Sequence, residues 1–350
     1  MLALTFECQA ITGDRQGRMR RTGRTRIQDV ASAAGVSAIT VSRALREPDR
    51  VAEGTRRAVL RAIARLGYVP DLVAGALASR RSRVVGAIVP TIAGAMFADT
   101  VQGMSDAVHA EGYQLLLGAH GYDLRAELAL VQAFIGRRAD GLIVTGVQHA
   151  PATRRILAAS GLPVVETWDI GRRPLDMTVG FSNFRAARAM AEYLVTRGYR
   201  RLAFISGPLR AHDRSRPRRD GFRAGARDAA FVELHMTDGS DMRSGAKAIV
   251  ELLARDPKVE AAFFVNDTMA AGALMECTRH GWPTPGRVAI AGFGDFEVAA
   301  AVAPALTTVR ISGYEIGRRA ALMLAARLAG KEVLPTTVDL GFEIVARESA

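Results

Sequence analysis

A short stretch from Ala38 to Arg43 carries side chains suited to reading the edges of DNA bases. Arg43 has a guanidinium group that can pair with the O6 and N7 atoms of guanine. Ala38 and Ile39 are aliphatic and could contact thymine methyl groups or exclude other bases, with the hydroxyls of Thr40 and Ser42 beside them. Such contacts need a helix in the major groove, because the side chains at its start reach the base edges.

The surrounding sequence predicts the helices that would present this stretch. Apolar residues recur at helical spacing from Ile27 to Ala34, and Gly35 follows where that helix should end. Ser37 is suited to cap a second helix, whose Val41 would pack on the first. Helix, three-residue turn and helix together form the pattern of a helix-turn-helix.

A third helix completes this region. We expect it to begin at Thr55, capped by the threonine hydroxyl, and to end at Gly67. Val59, Ile63 and Leu66 would face inward. An ordinary three-helix bundle packed only for stability remains the alternative at this point.

The net charge is concentrated in this part of the chain. The 350 residues include 47 Lys and Arg against 35 Asp and Glu, a formal net charge of +12. Residues 1–82 hold 15 Arg, no Lys and 7 acidic residues, a net +8. A localised basic segment indicates a polyanionic partner, most often nucleic acid and less often a membrane surface. Residues 1–25 lack periodicity and are expected to form a disordered arm, with Met19 as the expected start of translation.

Several other classes of protein are disfavoured. Cys8 and Cys277 are too few and too far apart for a disulfide framework or a Cys-rich zinc site, and the six His show no metal-ligand spacing. The motifs GxSxG, GxxxxGK[ST] and GxGxxG are absent, so no nucleophile or cofactor site is indicated. No signal peptide or membrane-spanning run is recognisable. We expect a cytosolic protein without cofactor or metal that is not an enzyme.

Beyond Arg83 the chain alternates apolar runs with amphipathic stretches. The predicted strands are Val84–Val89, Tyr113–Leu117, Gly141–Thr145, Leu162–Glu166, Leu202–Ile205, Ala261–Val265 and Val288–Ala291. The predicted helices among them are Phe97–Glu111, Leu124–Ile135, Arg185–Thr196 and Met269–His280. The alternation indicates an α/β fold, and its length favours two doubly wound parallel sheets, with ligands at the carboxyl ends of the strands.

Three segments together resemble a known family. DVASAAGVSAITVSRAL (Asp29–Leu45), TRRAVLRAIARLGYVPD (Thr55–Asp71) and VAGALASRRSRVVGAIVP (Val73–Pro90) are similar to the headpiece and hinge of the lactose-repressor (LacI/GalR) family of bacterial transcription regulators. The combination of AGVSxxTVSR with GYxPxxxAxxL is specific at this spacing. The resemblance continues to about residue 345 and implies a DNA-binding domain at 26–69, a hinge at 70–83 and a core at 84–350.

The resemblance also implies how the headpiece meets double-stranded DNA. Phosphate contacts that set register would come from Ser37, Thr40, Thr55 and Tyr68. In the family the hinge pushes a leucine into the minor groove, and the matching residue here is Leu77, with Ala74 one turn earlier. For any single one of the headpiece residues, capping or packing is the alternative role.

The core resembles a periplasmic-binding-protein-like clamp of two subdomains, with crossovers expected near Phe181–Asn183 and Phe293–Ser312. The effector-binding residues implied by the resemblance are Phe97, Glu166, Trp168, Arg218, Asn266, Asp267 and Gly294. Arg218 would grip a carboxylate or paired hydroxyls, and Trp168 would stack on a sugar face. Phe97 would line the site or belong to the core. Gly294 stands where many members carry a carboxylate, a departure that would suit an acidic effector.

The resulting expectation is a homodimeric repressor of sugar-acid utilisation genes, controlled by gluconate or a related sugar acid. It resembles the branch of the family whose members respond to such acids. Effector identity, induction or corepression, operator sequence, and dimer or tetramer stay open, with the dimer favoured. A solute-binding protein for transport would need a signal peptide and no helix-turn-helix, and an enzyme on a doubly wound fold would need a catalytic constellation.

Overall fold

The computed structural model describes residues 25–69, 81–93, 95–171, 173–209, 214–237 and 239–350 of the chain. The chain divides into two units, residues 1–78 and residues 79–350. The described part of the first unit is helical. The second unit contains two sheets of parallel strands covered by helices.

The described part of the first unit contains α1 (Ile27–Ala34), α2 (Ala38–Arg46) and α3 (Glu53–Leu66). Gly35 ends α1 in the left-handed conformation, with φ of 66°, as a three-residue turn requires. The hydroxyl of Ser37 accepts a hydrogen bond from the backbone N–H of Thr40 at 3.1 Å and so caps α2. The small core consists of Val30, Ala31, Val41, Ala44, Val59 and Ala62.

The start of α3 differs from the sequence-based prediction. The helix begins at Glu53, two residues before Thr55, and its N-cap position is occupied by Ala52, which makes no side-chain capping bond. Thr55 therefore lies inside the first turn, and the prediction that its hydroxyl caps the helix was wrong. The helix ends as predicted at Gly67, whose φ is 59°.

Replacing Ser37 by alanine should weaken α2 selectively. The change removes the capping bond to Thr40 and is expected to cost about 1 kcal/mol, which lowers the protection of the α2 amides about fivefold. Hydrogen exchange followed by mass spectrometry on the full chain without DNA measures this effect. The matched control is Thr55→Ala, which removes a hydroxyl that caps no helix. Equal losses of protection in the two variants would contradict this account of the caps.

The second unit begins with the elements β1 (Val84–Val89), α4 (Ala98–Ala110), β2 (Gln114–Ala119), α5 (Leu124–Gly136), β3 (Gly141–Thr145), α6 (Pro151–Ser160), β4 (Val164–Thr167) and β5 (Met177–Gly180). It continues with α7 (Asn183–Thr196), β6 (Arg201–Ser206), α8 (Ser215–Gly225), β7 (Ala230–His235), α9 (Met242–Arg255), β8 (Ala261–Phe264), α10 (Asp267–Arg279), β9 (Ala289–Gly294) and α11 (Glu297–Ala301). The last elements are β10 (Thr307–Arg310), α12 (Gly313–Leu328), β11 (Thr337–Asp339) and β12 (Glu343–Val345).

These strands form two six-stranded sheets. The first has the order β11-β5-β4-β3-β1-β2, and its neighbouring strands are all parallel. The second has the order β12-β10-β9-β8-β6-β7, in which only β12 runs antiparallel to its neighbour. Helices α4 and α12 pack on each other beside the first sheet, and α7 packs on α8 beside the second. We call the first sheet with its helices the first lobe and the second sheet with its helices the second lobe.

Within the described residues the chain passes between the lobes three times. The first passage is at residues 181–182 and the second at 311–312, within the regions predicted from the sequence. The third passage, at residues 340–342, was not predicted. It follows β11, a three-residue edge strand whose residues are partly or fully exposed and show no apolar pattern. The predicted fold class, a helix-turn-helix with two doubly wound parallel-sheet subdomains, is confirmed.

Candidate functional site

One face of α2 is available for DNA. Ile39 is 72% exposed, an unusual state for a large aliphatic side chain, and Arg43 is also exposed. Val41 and Ala44 are buried on the opposite face, against α1 and α3. Helix α2 therefore packs on the small core with Val41 and Ala44 and exposes Ile39 and Arg43 on its other face.

The remaining headpiece residues lie around this face with different degrees of exposure. Ala38, Thr40, Ser42, Thr55 and Tyr68 are half-buried, and Ser37 is exposed. The hydroxyl oxygens of Ser37 and Thr40 are 2.9 Å apart and share a hydrogen bond at the start of α2. A helix N-terminus that carries hydroxyl groups is a suitable partner for a phosphate.

Ala74 and Leu77, which the resemblance assigns to a hinge, lie outside the described residues, so the hinge and its contacts with the minor groove stay predictions.

A cavity of about 410 Å³ opens where the two lobes face each other. It is lined by Thr91, Ala93, Met96, Tyr122, Gly239, Ser240, Asp241, Asn266, Thr268 and Phe296. A smaller hollow shares part of this lining and adds Arg214, Ser215, Arg218 and Val265. Most of these residues follow the carboxyl ends of strands in the two sheets, where ligands bind in doubly wound folds. The volume suits a small molecule.

Arg218 is held rigidly at this hollow. The side chain extends from α8 and is only 2% exposed. Its Nε donates to Oδ1 of Asn183 at 2.8 Å, and one terminal N–H donates to the carbonyl of Val265 at 2.8 Å. The guanidinium lies 3.6 Å from the ring centre of Phe293, a cation–π arrangement. A planar cation fixed in this way is preorganised for a ligand carboxylate.

Asn266 shapes the floor of the cavity. Its Oδ1 accepts from the N–H of Met269 at 2.8 Å and caps α10, while its Nδ2 donates to the carbonyl of Ser240 at 3.1 Å. The amide thus joins the turn after β8 to the segment after β7. Asn266 lines the cavity with an orientation fixed by the protein, and its role in binding an effector stays a prediction.

Asp267, the next residue, is fully buried and holds a loop. Its Oδ2 accepts from the N–H of Phe296 at 2.8 Å, and its Oδ1 accepts from the hydroxyl of Thr308 at 2.5 Å. Burial raises the pKa of the carboxyl to about 7, although these two hydrogen bonds and the nearby backbone oppose the shift. Since Phe296 lines the cavity and Asp267 does not, the aspartate acts on the site through the loop.

Asp267 should make the stability of the second unit depend on pH. Between its unfolded pKa of about 3.9 and its folded pKa of about 7, the folded chain binds more protons. The contribution of Asp267 to the free energy of unfolding therefore falls as the pH rises through this range and is constant above it. Asp267→Asn is expected to lose less stability between about pH 5 and about pH 7 than the wild type. Urea unfolding followed by tryptophan fluorescence measures this, with the exposed Asp220→Asn as the control, and identical slopes in all three proteins would contradict the assignment.

Phe97 and Trp168 are part of the core. Both side chains are buried, and their rings meet edge to face at 5.1 Å between centres. The indole N–H of Trp168 donates to the hydroxyl of Thr100 at 3.1 Å. Neither residue lines the cavity, so the structure does not place Trp168 where it could stack on a sugar. Of the two roles considered for Phe97, the structure shows the core role.

Glu166 was predicted at the effector site, but the structure engages it elsewhere. Its buried carboxylate accepts from the N–H of Leu175 at 2.7 Å and lies 3.4 Å from Nε2 of His149. Nδ1 of His149 is hydrogen-bonded to Glu127 at 3.1 Å. Burial lowers the pKa of this histidine, but the hydrogen bonds to both carboxylates outweigh it and raise the pKa to about 9. Glu166 therefore belongs to a buried ionic cluster in the first lobe and not to the cavity.

Gly294 occupies a position that demands glycine. Its φ is 130°, and a Cβ atom there would lie 2.4 Å from the ring of Phe296. A carboxylate side chain could be accommodated here only if the ring of Phe296 moved. The next residue, Asp295, is paired with Arg310 and Arg347, each at 2.6 Å. The loop after β9 thus contributes an aromatic ring to the cavity and no free acid.

Several residues that line the site were not predicted from the sequence. Tyr122, Arg214, Ser240 and Asp241 all line it. Tyr122 follows β2, so the rule that ligands meet strand ends could have found it. Ser240 and Asp241 follow β7, a strand that was not predicted. Among the described residues no group of His, Cys, Asp and Glu could hold a metal ion, and no helix there is long and apolar enough to cross a membrane.

A helix-turn-helix joined in one chain to a two-lobed core with a ligand-sized cavity defines a ligand-responsive DNA-binding protein. Residues 26–71 match the family of bacterial regulatory proteins of the lacI type, and residues 191–350 match the periplasmic binding protein-like domain. The chain is therefore a member of the lacI family and a sequence-specific DNA-binding transcriptional regulator.

Individual relatives are similar in sequence to this chain over nearly its whole length. The regulator GntR of Pseudomonas aeruginosa is 39% identical over 334 residues, which cover 94% of this chain and 97% of the relative. GntR of Escherichia coli K12 is 33% identical, covering 91% of this chain and 96% of the relative. A crystal structure of a LacI family regulator from Silicibacter pomeroyi superposes with a TM-score of 0.87 at 32% identity, covering 93% and 99% of the two chains. All three of these relatives are named as transcriptional regulators.

Proposed function

We propose that this regulator represses genes for the use of sugar acids and releases or binds its operator in response to gluconate or a related acid. The observation that carries the proposal is the buried Arg218, whose guanidinium is fixed against Phe293 at the hollow between the lobes. Arg214, a second buried guanidinium, lies at the same hollow. Two buried cations favour an anionic ligand.

The scarcity of acidic groups around the cavity supports the same class of ligand, an anion. Asp241 is the one carboxylate among the described lining residues, and its Oδ1 already accepts from the N–H and hydroxyl of Ser244. Gly294 adds no charge where a carboxylate is usual by resemblance. Tyr122, Ser240 and Thr268 offer hydroxyls for the polyol part of a sugar acid. Two relatives that carry the name GntR are consistent with this proposal.

For DNA, we assign direct base contacts to the start of α2. Ala38, Ile39 and Arg43 would read base edges, and Ile39 and Arg43 are the exposed ones. Phosphate contacts would come from the hydroxyl-bearing residues Ser37, Thr40, Thr55 and Tyr68, while Ser42 lies beside the base readers. Two copies of the chain, in a cytosolic homodimer, would bind a near-palindromic operator.

The effector would act by a population shift. It can change operator affinity only by as much as it favours one arrangement of the two lobes over the other. Closure of the lobes would misalign two hinge segments at residues 70–83 and withdraw Leu77, with Ala74, from the minor groove. An effector that instead promotes DNA binding would raise operator affinity, and titration of the operator with and without effector distinguishes the two directions.

Isothermal titration calorimetry with a panel of ligands tests the effector class directly. We expect D-gluconate or another aldonic acid to bind the full chain, and the neutral sugar alcohol of the same length to bind at least about tenfold more weakly, because it lacks the carboxylate. Tighter binding of the sugar alcohol, or binding of a purine or nucleoside and no sugar acid, would overturn the proposal.

A further inference from the structure

Asn183 connects the two lobes at their first crossing. It is the first residue of α7, directly after the passage at residues 181–182, and it is completely buried. Its Nδ2 donates to the backbone carbonyl of Trp168 at 2.9 Å, and its Oδ1 accepts from Nε of Arg218 at 2.8 Å. Trp168 follows β4 of the first lobe, and Arg218 belongs to α8 of the second. One amide thus bonds to both lobes.

The hydrogen bonds continue beyond this amide on both sides. In the second lobe, Arg218 donates to the carbonyl of Val265, which precedes the cavity residue Asn266. In the first lobe, the indole of Trp168 donates to Thr100 of α4. Helix α12 packs so closely there that a Cβ on Gly317 would lie 1.9 Å from the carbonyl oxygen of Thr100. The connected groups run from the cavity to the α4–α12 pair.

We infer that Asn183 is a positioning residue that transmits effector binding at Arg218 to the first lobe. The inference rests on the proposed function, in which the effector contacts Arg218. A ligand that pulls the guanidinium changes the hydrogen bond from Nε to Asn183. Because the same amide holds the carbonyl of Trp168, that change reaches the first lobe through rigid, buried groups. Both Nδ2 and Oδ1 of Asn183 are hydrogen-bonded. Because they belong to one planar amide, a shift of one bond affects the other.

The substitution Asn183→Asp separates the two bonds. A carboxylate still accepts from Nε of Arg218, but it cannot donate to the carbonyl of Trp168. The added charge weakens gluconate binding, so operator affinity is compared without gluconate and at saturating gluconate. We expect the ratio of these affinities, about 5- to 150-fold for a typical allosteric regulator, to fall to about one. Asn183→Ala removes both bonds and should give the same loss, in case the aspartate variant does not fold.

The matched control is Arg185→Gln, two residues further along α7. Arg185 is exposed and forms an ion pair with Asp339, so it also lies at the crossings without contacting Arg218. This variant should keep the wild-type ratio. Retention of the full ratio in the folded Asn183 variants would overturn the inference, as would an equal loss in Arg185→Gln.

A second measurement needs no effector. The chain has two tryptophans, so Trp282→Phe leaves Trp168 as the sole reporter. In this background Arg218→Lys should shift the emission of Trp168 when Asn183 is present and leave it unchanged when Asp stands at position 183. Equal shifts in both backgrounds would overturn the inference. If gluconate does not bind the wild type, the proposed effector fails, and this emission test still decides the role of Asn183.

Discussion

Replacing Arg218 by lysine should weaken the binding of a sugar acid by about 10- to 150-fold, the value of a hydrogen bond to a charged group. Lysine keeps the positive charge but lacks the planar fork that lies on Phe293 and bonds to Asn183 and Val265. The new ammonium group would neither be held flat nor bind a carboxylate with two parallel hydrogen bonds. Calorimetric titration of the full chain with D-gluconate measures the loss.

The neighbouring Arg219→Lys is the control for this change. Arg219 belongs to the same helix, but it pairs with Asp220 and does not line the cavity. Its replacement should leave the dissociation constant unchanged. Equal affinities of wild type and Arg218→Lys for the sugar acid would show that the effector does not contact this guanidinium.

Arg43→Ala should reduce specific operator binding by about 1–3 kcal/mol, or about 5- to 150-fold, and relax the preference for guanine at one position of each half-site. Arg43 is exposed on α2, four residues after Ile39 on the same face, and it is the one cationic side chain among the predicted base readers. Binding to unrelated DNA should change much less. Fluorescence anisotropy with operator, single-base variants and scrambled duplexes measures each of these quantities.

Arg46→Ala provides the comparison on the same helix. Arg46 is also exposed, but it is the last residue of α2, away from the end that enters the groove. Its loss should weaken binding to all sequences alike and reduce the salt dependence by about one phosphate contact. If Arg46→Ala changed the base preference and Arg43→Ala did not, the orientation of α2 on DNA would be the reverse of the proposed one.

The headpiece could be predicted almost completely, because its elements are specified by neighbouring residues. Gly35 and Gly67 end their helices in the left-handed conformation, and Ser37 caps α2. The start of α3 was the exception. A threonine is a good cap in isolation, but Ala52 takes the N-cap position and the helix begins at Glu53, two residues before Thr55.

The core was predicted in class and less well in detail. All seven predicted strands are present, with ends shifted by up to three residues. The missed strands include β10, whose buried Thr307 and Thr308 look polar in a hydropathy pattern although threonine is a β-branched residue. The arginine-rich segment Ser215–Gly225, for which no helix was predicted from the sequence, forms helix α8 and buries Arg218. Such burial depends on Phe293 and Asn183, which are remote in sequence.

The residues that line the cavity could likewise be predicted only in part. The resemblance implied effector-binding roles for Arg218 and Asn266, and both side chains line the cavity or its adjoining hollow. The resemblance also implied such roles for Glu166 and Trp168, whose polar groups bond to Leu175 and Thr100 within the first lobe. Whether a side chain at a strand end turns toward a ligand or into the core is decided by such distant partners, and a single sequence does not contain that information in its local pattern.

The measurement that tests the central claim most directly is operator binding in the presence of candidate effectors. A labelled duplex from the region upstream of the chain's own gene is titrated with the full chain, alone and with saturating sugar acids, neutral sugars or nucleosides. The account predicts that a sugar acid changes the dissociation constant by at least about fivefold, and that neutral sugars of the same length do not. If a neutral sugar or nucleoside changes operator affinity and no sugar acid does, the account of the cavity is contradicted.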